Sequence, residues 1–122
     1  MKLLVVATLV AFAGSAWSHK VTTVFPSGAT PLTQGELRSA IEGREFTAQP
    51  QHGPSWRLAY RKDGTFTVSA GDFTHEGKWS AGESAVCTEG EKLKYLCNSV
   101  RAKDGKLFFQ RQDREVMQLV PK

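Results

Sequence analysis

Residues 55–70 read SWRLAYRKDGTFTVSA, and their register decides the fold. Trp56, Leu58 and Tyr60 alternate with Arg57, Ala59 and Arg61; beyond a Lys62-Asp63-Gly64 segment, Phe66, Val68 and Ala70 alternate with Thr65, Thr67 and Ser69. A period of two with one apolar face is the signature of a half-buried strand. A two-residue Asp63-Gly64 loop would set Tyr60 against Thr67 and Arg61 against Phe66, mixing apolar and polar on both faces. A three-residue loop pairs Tyr60 with Phe66, Leu58 with Val68 and Trp56 with Ala70, so the apolar faces coincide. The stretch therefore predicts a hairpin with a type I turn and a bulge, with Gly64 in the left-handed region.

Outward from this hairpin the same grammar repeats. Strand-like segments recur at 44–48, 55–61, 65–70, 73–79, 84–88, 93–101, 106–110 and 115–120. Short links between them favour antiparallel neighbours. The expected fold class is mainly β, a small antiparallel β-barrel or sandwich of about 6–8 strands in meander order. Lys103-Asp104-Gly105 repeats the turn tripeptide and predicts a second three-residue loop, although Leu107, Phe108 and Phe109 interrupt the alternation beside it. In 73–79 the face of Phe73, His75, Gly77 and Trp79 contains a glycine, which predicts a bend or a close approach to the Trp79 ring.

One helix precedes the strands. In LTQGELRSAIEG (32–43) Thr33 and Glu36 form a capping box, and Leu32 and Leu37 take the staple positions. Leu37, Ala40 and Ile41 make one apolar face, and Gly43 ends the helix.

The amino-terminal end has the pattern of an export signal. Met1-Lys2 is followed by an apolar run at 3–13 and by small residues at Ala16 and Ser18. That run falls short of the roughly 20 residues a membrane-spanning helix needs. The expected organisation is a signal peptide at 1–18, an extended leader at 19–31 and one helix-plus-β domain at 32–122, with no integral membrane segment after cleavage. Export implies a periplasmic or secreted protein, in which Cys87 and Cys97, the 2 cysteines of the chain, can pair in only one way.

Read in order, the helix L-T-x-x-E-L ending at Gly43, the W-R-x-x-Y-x-x-D-G-T of Trp56–Thr65, the G-K-W of Gly77–Trp79 and the two late cysteines resemble a group of small exported bacterial β-proteins. More loosely, they are similar to the calycin-type barrels of lipocalins and avidins, where G-x-W is common. The resemblance implies a β-barrel and supplies no catalytic residues.

Composition narrows the function classes. The chain of 122 residues has 23% charged residues and 16 Lys and Arg against 12 Asp and Glu. Its mean hydropathy is −0.33. These values exclude a polytopic membrane protein and do not fit a disordered chain. The sequence contains no G-x-S-x-G, H-E-x-x-H or phosphate-binding glycine loop, so the reading leans against an enzyme, and no cofactor is called for. Acids interspersed among the bases make nucleic acid an unlooked-for partner, and a monomer is expected. Trp56, Tyr60, Phe66, Phe73, His75 and Trp79 are the candidate ligand-binding residues, because a small barrel either fills with side chains or holds one small ligand. The leading expectation is thus an exported, non-catalytic binding module for a small apolar or amphipathic molecule or for a protein partner. An alternative is a secreted inhibitor or interaction protein that uses its basic turns, among them Lys92, Lys94, Lys103, Lys106, Arg111 and Arg114. A weaker one is a copper site at His19, exposed by cleavage and joined by His52 or His75.

Overall fold

A computed structural model of the chain describes residues 21–122. The expected signal peptide at 1–18, its expected cleavage site and His19 lie outside the described residues. The elements run β1 (Thr30–Pro31), α1 (Gln34–Ile41), β2 (Arg44–Ala48), β3 (Trp56–Tyr60), β4 (Thr65–Ala70), β5 (Phe73–Gly82), β6 (Ala85–Glu89), β7 (Leu96–Lys103), β8 (Lys106–Gln110) and β9 (Val116–Pro121).

Strands β2 to β9 are antiparallel neighbours in chain order, and β9 returns to pair with β2 through Phe46↔Pro121 and Thr47↔Val120. The expected barrel or sandwich is therefore a closed up-and-down barrel. Closure leaves the ladder without two long free edges, which protects a small β domain against edge-to-edge association. The extra strand β1 lies against β7, pairing Thr30 with Ala102 and Pro31 with Arg101. Here the leader joins the barrel: the Val116 amide donates to the Thr22 carbonyl at 2.7 Å, and the Arg101 guanidinium stacks 4.9 Å from the Phe25 ring centroid.

The β3–β4 register matches the derivation residue for residue, with Tyr60↔Phe66, Leu58↔Val68 and Trp56↔Ala70. Gly64 has φ +87° and donates to the Arg61 carbonyl at 3.0 Å. The Asp63 carboxylate accepts from the Thr65 amide at 2.9 Å and the Thr65 hydroxyl at 2.7 Å. Those two bonds hold its pKa below the ordinary 3.8.

The second lysine-aspartate-glycine turn behaves differently. Lys103 pairs with Lys106, so the loop has two residues, with Asp104 at φ 52° and Gly105 at φ 75°. Both central residues at positive φ make this a type I′ hairpin. The expected three-residue loop would have set Val100 against Phe108. The shorter loop sets Val100 against Phe109, and these two residues are 0% and 3% exposed. Burial of the Val100–Phe109 pair thus selects the loop length. Gly77 also departs from expectation. A side chain there would overlap the Glu89 carbonyl oxygen, so the close approach is to the end of β6 and not to the Trp79 ring.

Helix α1 closes one end of the barrel. Thr33 and Glu36 form the capping box: the Glu36 amide donates to the Thr33 hydroxyl at 3.2 Å, and the Thr33 amide donates to the Glu36 carboxylate at 3.1 Å. Hydrogen bonding of the Thr33 amide, and secondarily of its hydroxyl, to the carboxylate lowers the Glu36 pKa from its ordinary 4.5. The apolar face puts Leu37 at 0% and Ile41 at 1% exposure, in one cluster with Phe46, Tyr60, Trp79 and Leu119. Gln34 Nε2 donates to the Ala81 carbonyl at 2.8 Å, and the Arg38 guanidinium lies 5.8 Å from the Trp79 ring centroid.

Cys87 and Cys97 stand directly opposite each other on β6 and β7, with Cα atoms 4.0 Å apart, and are joined by a disulfide. A link closing so short a loop contributes roughly 2–4 kcal/mol on a chain-entropy account.

Candidate functional site

Alternation around the barrel dictates which side chains meet inside. On β3 and β4 the inward residues are Trp56, Leu58, Tyr60, Phe66 and Val68, which pair across the two strands. On β6 and β7 they are Val86, Thr88, Leu96, Asn98 and Val100, because the cysteine pairing turns Cys87 and Cys97 to the other face. Toward the helix these residues interdigitate with Leu37 and Ile41 and fill the interior. Toward the other end no helix of the described residues enters, and a cavity of about 300 Å³ lies among their side chains. That volume is at the small end of the range for ligand pockets.

The cavity wall is mainly apolar. Trp56, Leu58, Phe66 and Val68 form one side, and Val86, Leu96 and Phe109 face them. Three neutral polar side chains, Tyr60, Thr88 and Asn98, interrupt this lining. Tyr60 is 3% exposed and packs between Phe66, at a centroid distance of 5.1 Å, and Trp79, at 5.7 Å. Burial pushes its phenol pKa above the ordinary 10.0, so the hydroxyl stays a neutral hydrogen-bonding group.

At the mouth, the β8–β9 loop supplies Arg111, Gln112 and Asp113 to the rim. The Arg111 guanidinium lies over the Trp56 ring, 4.4 Å from its centroid. It also pairs with Asp113 at 3.5 Å and with Glu115 at 3.3 Å. Glu115 is 7% exposed, and its carboxylate also accepts from the Gln51 amide at 2.6 Å. This buried carboxylate ties the β2–β3 loop to the β8–β9 loop. It also holds Arg111 over the Trp56 ring, where a cation is attracted to the aromatic face. The remaining rim residue of note is Phe73, 46% exposed.

Of the residues expected to bind ligand, the structure brings Trp56, Tyr60, Phe66 and Phe73 to the cavity and leaves two outside its lining. Trp79 belongs to the helix-closed end, where its Nε1 donates to the Arg61 carbonyl at 2.8 Å under Arg38. His75 sits edge-on to Phe73, with ring centroids 3.9 Å apart, on the stretch of β5 that lies beyond the end of β6. Among the described residues, no group of three or more His, Cys, Asp or Glu side chains is placed to hold a metal ion. The basic turn residues divide between the two ends: Lys103 and Lys106 flank the β7–β8 turn, whereas Lys92 and Lys94 lie in the β6–β7 loop at the other end of β7.

Sequence reasoning missed Thr88 and Asn98 as cavity residues, and it read Arg111 as part of a basic turn and not as the rim of a cavity. The signal for Asn98 was available, since opposing Cys87 and Cys97 places Asn98 on the face of Leu96 and Val100. Arg111 had no local signal, because its partners Trp56 and Glu115 come from another strand and from across a turn.

No protein-family model, curated protein or solved structure matches the chain.

Proposed function

We propose that this protein is an exported, non-catalytic carrier that holds one small apolar or amphipathic molecule inside its barrel. The observation that carries the proposal is the hollow half of the interior. A chain this short has little apolar surface to spare, and leaving about 300 Å³ unfilled forfeits core contacts. A ligand seated between Trp56, Phe66 and Phe109 restores those contacts. The disulfide agrees with an oxidising, extracytoplasmic compartment.

The experiment is a titration of the exported protein with small apolar compounds, followed by the indole N–H resonances, assigned through Trp56→Phe and Trp79→Phe. Saturable movement of the Trp56 resonance with little change at Trp79 is the expected result. Absence of any saturable shift across alkyl and aromatic probes that fit the cavity overturns the carrier reading.

A further inference from the structure

The polar groups of the cavity carry information that its volume does not. Tyr60, Thr88 and Asn98 all line it. None of their side chains makes a hydrogen bond to another described residue, although the hydroxyls and amides of Thr33, Gln34, Thr65 and Ser84 all do. Tyr60 is buried and Thr88 and Asn98 are half-buried, and none of the three is a sealed-off orphan: the buried side-chain polar atom without a partner among the described residues is Gln51 Oε1. Their polar atoms face the space of the cavity, so an occupant that displaces water there without offering hydrogen bonds leaves them unsatisfied at a cost. Thr88 and Asn98 are close on the wall, since Val86 opposes Asn98 and Leu96 opposes Thr88 across the same pair of strands. Each of the three groups both donates and accepts, and none carries charge.

The charged residues point to the same ligand class by elimination. Among the described residues, Arg111 and Asp113 are the charged side chains that line the cavity, and both sit at the rim. Arg111 is already engaged by Asp113, by Glu115 and by the face of Trp56. A carboxylate ligand would find no free counter-charge there, and moving it past the rim would strip its hydration without replacement. A hydrocarbon would fill the volume but leave the amide and hydroxyls unsatisfied. Resting on the carrier reading, we infer that the cavity selects an uncharged ligand whose hydrogen-bonding head meets Tyr60, Thr88 and Asn98 and whose apolar body packs against Trp56, Phe66 and Phe109.

Three probes on one skeleton test this: 4-propylphenol, propylbenzene and 4-propylbenzoate, titrated calorimetrically and by NMR at neutral pH. The phenol is expected to bind tightest, roughly tenfold better than the hydrocarbon, a difference the size of one hydrogen bond. The benzoate is expected to bind weakest. Asn98→Leu and the near-isosteric Tyr60→Phe should each shrink the phenol's advantage while propylbenzene affinity holds or rises, which also reports that the variants remain folded. Equal affinity for phenol and hydrocarbon, or a benzoate that binds best, overturns the selection of a neutral head and leaves the carrier reading standing. If none of the three binds, the carrier reading itself fails.

Discussion

The two ends of this barrel are built from the same alternating strands and end up with opposite interiors. At one end α1 inserts Leu37 and Ile41 among Phe46, Tyr60 and Trp79, all of them buried in one cluster. At the other, Trp56, Phe66 and Phe109 face a void, Phe73 and Tyr95 are 46% and 66% exposed, and an ion-paired arginine lies across the rim. The difference comes from one amphipathic helix, since a meander by itself specifies a wall and not what fills it. The capped helix acts as a plug, and the described residues supply one plug for two mouths.

Substitutions at the two ends should therefore diverge most where burial is most unequal. Leu37→Ala removes a fully buried side chain from the plug and is expected to cost about 3 kcal/mol in urea unfolding. Tyr95→Ala at the open end should cost less than about 0.5 kcal/mol. Comparable losses would show that the ends are not differently packed.

Adding volume sharpens the same contrast. Ala81→Leu, on the strand under the helix, should destabilise by about 1–3 kcal/mol through overpacking. Val68→Phe, in the cavity wall, should leave the unfolding midpoint nearly unchanged and abolish saturable ligand shifts at Trp56. A cavity that does not tolerate Val68→Phe would not be hollow in solution.

The hairpin that connects the ends gives a smaller effect. Gly64 sits at φ +87°, a conformation that costs an L-residue roughly 1–2 kcal/mol. Gly64→Val should lower the midpoint by that amount, and an unchanged midpoint would argue against the bulged turn.

The smallest effect concerns Asp63 in the same turn. Its carboxylate pKa is lowered in the folded protein by the Thr65 hydrogen bonds. The stabilisation is present above the ordinary carboxylate pKa of 3.8 and is lost as pH falls through the lowered value. Asp63→Asn should be slightly less stable than the parent at neutral pH, and the gap should close under acid. A gap that persists or widens below that value would contradict the assignment.

Local information was enough for most of the wall. Alternation at 55–70 specified strands, register and the backbone state of Gly64, because shifting a strand by one residue would turn every apolar side chain outward. Thr33 and Glu36 announced the helix start, since a capping box closes within four consecutive residues. The tripeptide Lys-Asp-Gly shows where such reading stops. It occurs at 62–64 and 103–105, yet one turn has a three-residue loop and the other a two-residue loop. At the first, the flanking strands alternate and decide the matter. At the second, Leu107-Phe108-Phe109 fits either parity, and only packing of Val100 on Phe109 selects the shorter loop.

By itself, then, the sequence determined the antiparallel meander, the capped helix, the first hairpin's register and the one possible cysteine pair, all consequences of near-neighbour chemistry. Closure of β9 on β2, the insertion of the helix at one end, the cavity at the other and the meeting of Arg111 with Trp56 and Glu115 were decided by tertiary structure. Those features depend on which distant segments come together, and on how much volume remains once they have. A pattern of apolar and polar letters records which way a side chain faces, and it carries no measure of the space in front of it.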